Sequence, residues 1–153
     1  MKYSSKDVVA YSKAKEYIDT AIIPLIPFSF EDEEMSSLSF QKDVIQIYVD
    51  QIERELKGRV FVIPEYYYLK QDKIAEEKER LQAFIDHIAK QPFKYIFLVT
   101  SDNKWRKVTK DMDIELIWIP GIKDGHLEQA ETQQVIKSQV QEIQTLIMDS
   151  WNE

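Results

Sequence analysis

The side chains best suited to chemistry are carboxylates standing beside phenols or hydroxyls. Glu65-Tyr66-Tyr67-Tyr68 joins an acid to three phenols directly after an apolar run. A carboxylate so placed can hydrogen-bond a sugar or base hydroxyl while a ring packs on the ligand's face. Ser101-Asp102-Asn103 follows another apolar run. Those side chains either meet a ligand or cap the next helix, and capping is the preferred reading. Glu31-Asp32-Glu33-Glu34 offers hard oxygen ligands to Mg²⁺ or Ca²⁺. Four adjacent acids point in different directions, however, so a solvated loop before a helix amino terminus fits them better. Asp19 precedes the first apolar run. If burial raised one pKa and left another low, Glu65, Asp102 and Asp19 could divide acid and base roles. The candidate ligand-binding residues are therefore Asp19, Glu31, Asp32, Glu65, Tyr66, Ser101, Asp102 and Asn103.

Other chemistries are closed to this sequence. It holds 3 glycines, Gly58, Gly121 and Gly125, too few and too far apart for a glycine-rich phosphate loop. It has no cysteine, which removes disulfides, thiolate catalysis and Cys-based metal centres. The 2 histidines, His87 and His126, have no second histidine at ligand spacing. No metal site and no cofactor are expected. Lys104, Trp105, Arg106, Lys107 and Lys110 form the one basic cluster, but the chain carries a net charge of −7. That balance repels nucleic acid and anionic membranes at long range, so neither is expected as a partner.

The elements that must position these groups begin with four short apolar runs, Thr20 to Pro24, Arg59 to Pro64, Tyr95 to Ser101 and Glu115 to Pro120. Nearly continuous apolar runs of this length suit strands buried on both faces, as in parallel sheets. Helical patterns lie between most of them. The first helix is capped by Ser5 and gives way near Tyr17; a loop carrying Pro27 and Phe28 follows the first strand. The second helix starts near Ser37 or Ser39, carries Val44, Ile45, Tyr48, Val49 and Ile52 on one stripe, and ends at Gly58. Asp72 caps a third helix. A short helix between Asp102 and Asp113 would keep the fourth strand parallel. The last helix runs from about Leu127 to Trp151, about 37 Å at 1.5 Å per residue.

At 153 residues, with 44% hydrophobic and 31% charged side chains, the chain reads as one domain, residues 1–153. The amino terminus lacks a signal peptide's apolar stretch, and the segment from Ala21 to Phe30 is too short and too proline-broken to span a membrane. A cytoplasmic location is expected. The fold expected is a three-layer α/β/α sandwich with about four mostly parallel strands, Rossmann- or flavodoxin-like. In the common order 2-1-3-4 the switch point falls between the first and third strands, bringing Ser29 to Asp32 beside Ser101 to Asn103 with Glu65 and Tyr66 at the flank.

Tyr17-Ile-Asp-Thr-Ala-Ile-Ile-Pro-Leu25, preceded by Ala14-Lys-Glu16, resembles the opening of the YpiF-like family of uncharacterised proteins from Bacillus-type bacteria. The resemblance extends in size and element order over essentially the whole chain. It implies a cytoplasmic bacterial setting and supplies no catalytic residues. Two functional classes follow. One is a non-catalytic interaction or regulatory module, favoured by the missing motifs and by the long last helix. That helix is expected to form a homodimer through Ile143, Ile147 and Trp151. The other is an enzyme or binder for a small polar metabolite, nucleoside- or sugar-like, at the carboxyl ends of the strands. Converging carboxylates in a deep pocket would favour the second class, and a filled strand-end face the first.

Overall fold

The computed structural model describes residues 1–70, 73–122 and 127–153. The expected cap at Asp72 and His126 lie outside the described residues. The elements run α1 (Ser5–Ser12), β1 (Thr20–Phe28), α2 (Asp32–Glu55), β2 (Val60–Val62), β3 (Tyr66–Leu69), α3 (Ile74–Ile88), β4 (Tyr95–Thr100), α4 (Lys104–Val108), a 3₁₀ turn (Thr109–Met112), β5 (Glu115–Trp118) and α5 (Ala130–Trp151). The strand order is β2-β1-β4-β5, with β3 also on β1, and every pairing is parallel. This is the expected order, and the short helix after β4 carries the chain across to a parallel β5.

Side chains alternate between the two faces of the sheet, and each face has its own core. Ile22 and Ile26 of β1, Phe97 and Val99 of β4 and Ile117 of β5 pack with Val44, Tyr48 and Ile52 of α2 and Ile136, Val140 and Ile147 of α5. Ala21, Ile23 and Leu25 of β1 and Leu98 of β4 pack with Tyr11 of α1, Leu81 and Ile85 of α3 and Trp105 of α4. The molecule is thus a three-layer α/β/α sandwich. Ile117 and Ile119 are buried, while Trp118 is half-buried on the opposite face beneath the Arg106 guanidinium, 4.6 Å from its ring.

Three boundaries differ from the sequence reading. Helix α2 begins at Asp32, so the acidic run builds its first turn instead of a solvated loop. Carboxylates there meet the positive end of the helix dipole. Helix α1 is capped by Ser4, whose hydroxyl accepts from the Asp7 amide at 3.1 Å, and it stops at Ser12. Strand β1 passes through Pro24 and Pro27 to Phe28 instead of ending at the first proline. Gly58 does take a positive φ, +96°, where the chain leaves α2.

The course of β1 has a local cause. Its even-numbered residues bond toward β2 and β3, as in Thr20 N to Arg59 O and Ile63 N to Ile22 O, and odd-numbered positions point toward β4, as at Asp19 just before the strand, whose carbonyl accepts from Tyr95 N. Pro24 therefore turns its missing donor toward the segment containing Pro64, where the ladder breaks. Pro27 turns its own toward the side of β4, whose pairing with β1 ends at Pro24. Neither proline removes a bond the sheet needs.

At that break the register slips. Val62 lies opposite Ile22 but Tyr66 opposite Leu25, so Ile63, Pro64 and Glu65 face only Ile23 and Pro24. One extra residue makes this a β-bulge, and the slip reverses which side chains face which layer. Phe61 and Ile63 meet the α1/α3 layer before the bulge; Tyr66 and Tyr68 meet it after. Tyr67 and Glu65 are left on the side of α2.

Candidate functional site

The stripe of α2 formed by Met35, Leu38, Ser39, Lys42, Ile45, Gln46, Val49 and Asp50 recurs at three- and four-residue spacing along one helix face. It runs beside the bulged edge of the sheet, and between the two lies a groove. Near the bulge a cavity of 630 Å³ is lined by Ile45, Val49, Val62, Pro64, Glu65 and Tyr67. Beyond Tyr67 a second cavity of 400 Å³ is lined by Phe28, Phe30, Met35, Leu38 and again Tyr67. From Met35 to Asp50 the wall extends about 22 Å.

Glu65 lies in the floor, half-buried. One carboxylate oxygen accepts from Gln46 Nε2 at 2.7 Å and the other from the Tyr67 hydroxyl. Among the described residues no cation pairs with it. Burial, and then the hydrogen bond to Glu65, push the Tyr67 phenol up to about 12. Asp50, farther along, is paired with Lys2 at 2.6 Å. At the other end Phe30 is 80% exposed, its ring edge-on to Phe28 at 6.3 Å. Beside it stand the exposed Glu31, Asp32 and Glu33. Tyr67 (42% exposed) and Leu69 (51%) continue the apolar surface along β3. The outward backbone of β3, at Tyr67 and Leu69, meets a single partner among the described residues, the Arg80 guanidinium on the Tyr67 carbonyl at 2.7 Å.

The family described as "Protein of unknown function (DUF2487)" matches residues 9–151, which include both walls of this groove. The chain belongs to this family. It is similar to the "Uncharacterized protein YpiF" of Bacillus subtilis (strain 168), 27% identical over 154 residues that cover 99% of each chain. The likeness seen at Tyr17 to Leu25 therefore holds across the whole length. No solved structure matches the chain.

In this DUF2487 member the expected site residues are divided among separate places. Asp19 sits at the amino end of β1, five strand residues or about 17 Å from the bulge. It holds the Arg59 guanidinium by two bonds, 2.9 and 3.1 Å. Tyr66 lies on the far face, its hydroxyl donating to Glu77 at 2.9 Å beneath the Arg80 guanidinium. Asp102 accepts from the Tyr68 hydroxyl and from the Lys104 amide at 3.0 Å, so it caps the turn into α4 as expected. Ser101 is half-buried and Asn103 exposed beside it. Glu31 and Asp32 open α2. The β1 and β4 ends are neighbours, as the switch point requires: Glu34 has its carboxyl held below its usual range by hydrogen bonds from Lys70 and Ser29 and by the charge of Lys104. Among the described residues no three acidic or histidine side chains gather as a metal site would need. Carboxylates that were candidates for shared acid–base work thus face three directions, each already holding hydrogen-bond or ionic partners.

Sequence reasoning missed Gln46, Phe30, Met35 and Tyr67 as groove residues, and Tyr68 with Trp105 as the clamp behind Asp102. The alternation of Tyr66, Tyr67 and Tyr68 was the available signal, since a strand there must send its middle ring to the opposite face. The residues expected at a dimer contact are engaged within the chain. Ile147 is completely buried, Ile143 nearly so, and Trp151 donates to the Thr20 hydroxyl at 2.8 Å under the Arg59 guanidinium. On its outer side α5 shows Val135, Leu146 and Met148. Among the described residues no helix is long and apolar enough to cross a membrane.

Proposed function

We propose that the chain is a non-catalytic cytosolic interaction module that receives a polypeptide segment in the groove between α2 and the bulged sheet edge. One observation carries the reading. Phe30, Met35, Tyr67 and Leu69 are exposed together at the carboxyl ends of the strands, where an enzyme of this architecture would gather its reactive groups. Contiguous exposed apolar surface rimmed by polar groups marks interaction sites. The charges select the partner's chemistry: Glu65 has no cationic partner among the described residues, and Glu31, Asp32 and Glu33 stand exposed at the mouth. A segment bearing apolar anchors and a lysine or arginine opposite Glu65 fits both features. Its backbone can extend the sheet at the open edge of β3.

The test is site-specific photo-crosslinking in cells. A photoreactive residue at position 30 should give one discrete protein adduct that the same residue at Val9, an exposed apolar position on α1, does not give. The adduct, identified and purified, should bind the wild-type chain and lose at least tenfold in affinity to Phe30→Ser/Tyr67→Ser at unchanged melting temperature. Equal adduct patterns at positions 30 and 9 would overturn the reading.

A further inference from the structure

On the opposite layer, between α1 and α3, lies a cavity of 480 Å³ that plays no part in the groove reading. Its floor is aromatic. Tyr11 stacks on Phe93 with centroids 5.7 Å apart and meets Phe61 edge-on at 5.2 Å. Val8, Phe84 and Ile88 complete the apolar wall. The charged lining has one sign: Lys15 and Lys90 contribute, and no aspartate or glutamate does. Neither lysine has an ion-pair partner among the described residues, although the chain as a whole carries a charge of −7. Lys15 holds its ammonium 5.6 Å from the Tyr11 ring centre, above the floor. Cavities of this size, apolar with a few placed charges, are of ligand dimensions.

We infer that this cavity binds a small amphipathic monocarboxylate, its apolar body on the Tyr11–Phe61–Phe93 floor and its carboxylate between Lys15 and Lys90. An apolar body contributes through area removed from water. The head group gains by meeting cations that have no counter-charge among the described residues. A cationic amphiphile of equal length meets like charge and is refused, and a neutral one loses the head-group contacts.

Decanoate, decanol and decyltrimethylammonium, titrated calorimetrically into the full chain, test this. Saturable one-to-one binding of decanoate is expected, at least tenfold tighter than decanol, with none for the ammonium. Lys15→Glu/Lys90→Glu, two side chains at the cavity rim, should weaken decanoate at least tenfold without altering the fold seen by circular dichroism. Val8→Trp should fill the space and abolish binding; should it fail to fold, the lysine pair still decides. Phe30→Ser/Tyr67→Ser should leave decanoate affinity unchanged, so failure here is separable from failure of the groove reading. Equal affinity for decanoate and decanol, or unchanged affinity in the double glutamate variant, would overturn the inference.

Discussion

Tyr68 shows how little freedom the strand-end residues retain. Its hydroxyl donates to Asp102 and accepts from the Trp105 indole N–H at 2.8 Å, with the tyrosine 2% and the tryptophan 0% exposed. Thr100 adds a bond from its hydroxyl to the Leu25 carbonyl at 3.3 Å and accepts from the Asp102 amide at 3.1 Å. The turn after β4 is therefore tied to β1 and β3, and Asp102 serves as part of the tie. Tyr68→Phe keeps the ring and removes the link. It leaves a buried indole donor and a carboxylate short of a partner, at a cost of about 1–3 kcal/mol. Urea unfolding followed by tryptophan fluorescence checks this, and a stability equal to wild type would mean that the hydroxyl is dispensable. Reading Asp102 as a cap needed only the neighbouring sequence. Reading its bond to Tyr68 needed the bulge, because with an unbroken register Tyr68 would face α2.

Among the elements, the bulge decides the most. It moves Tyr66 and Tyr68 under α3 and α4, leaves Glu65 and Tyr67 to the groove, and lies where Pro24 and Pro64 have no donors to give. Glu65→Ala removes two hydrogen bonds at a half-buried position and should cost about 1 kcal/mol. Deleting Glu65 is a different change: it removes the extra residue, so Ile63 and Pro64 would meet Ile23 and Pro24 one for one while Tyr66 stays opposite Leu25 and both rings keep their face. The deletion loses the same two hydrogen bonds, so a fall in melting temperature close to that of the substitution is expected, measured side by side. A much larger fall for the deletion would show that the bulge itself, and not the pairing of Tyr66 with Leu25, holds the register. The strand order and the two-faced burial were legible beforehand because Val, Ile, Leu and Phe runs admit few arrangements. The continuation of β1 through Pro24 and Pro27 was not, since a proline's cost depends on which neighbour its nitrogen faces. The start of α2 was misplaced for a related reason: acids that look solvated in a loop are equally at home in a helix's first turn. The groove was hidden because its walls come from segments about twenty residues apart in sequence.

At the scale of the whole molecule, phenols link the layers. Tyr48 is buried in the α2/α5 layer and donates to Gln139, while Tyr11, Tyr66 and Tyr68 belong to the α1/α3 layer. Burial raises the pKa of all four, and of Tyr67, above the ordinary 10, with Tyr48 and Tyr67 pushed up to about 12. A folded value above the unfolded one means the stabilising contribution is complete below pH 10 and declines as pH rises through the folded values. Stability should therefore lose this contribution progressively from about pH 10 upward. Urea titrations at rising pH, with phenolate absorbance followed in parallel, should show these tyrosines ionising as the fold opens. Full ionisation near pH 10 in a chain that keeps its circular dichroism would contradict the burial.

The two prolines of β1 have a further consequence, visible to solvent protons. Of its nine residues, Pro24 and Pro27 carry no amide hydrogen, so the strand at the centre of the sheet can report from only seven positions. A deuterium-exchange map should therefore show β1 as a protected block from Thr20 to Ile23, then the pair Leu25 and Ile26, then Phe28 alone. Its neighbour β4, with six residues and no proline, should read as one unbroken block. The most enclosed strand of the protein would then look, in such a map, like a fragmented one.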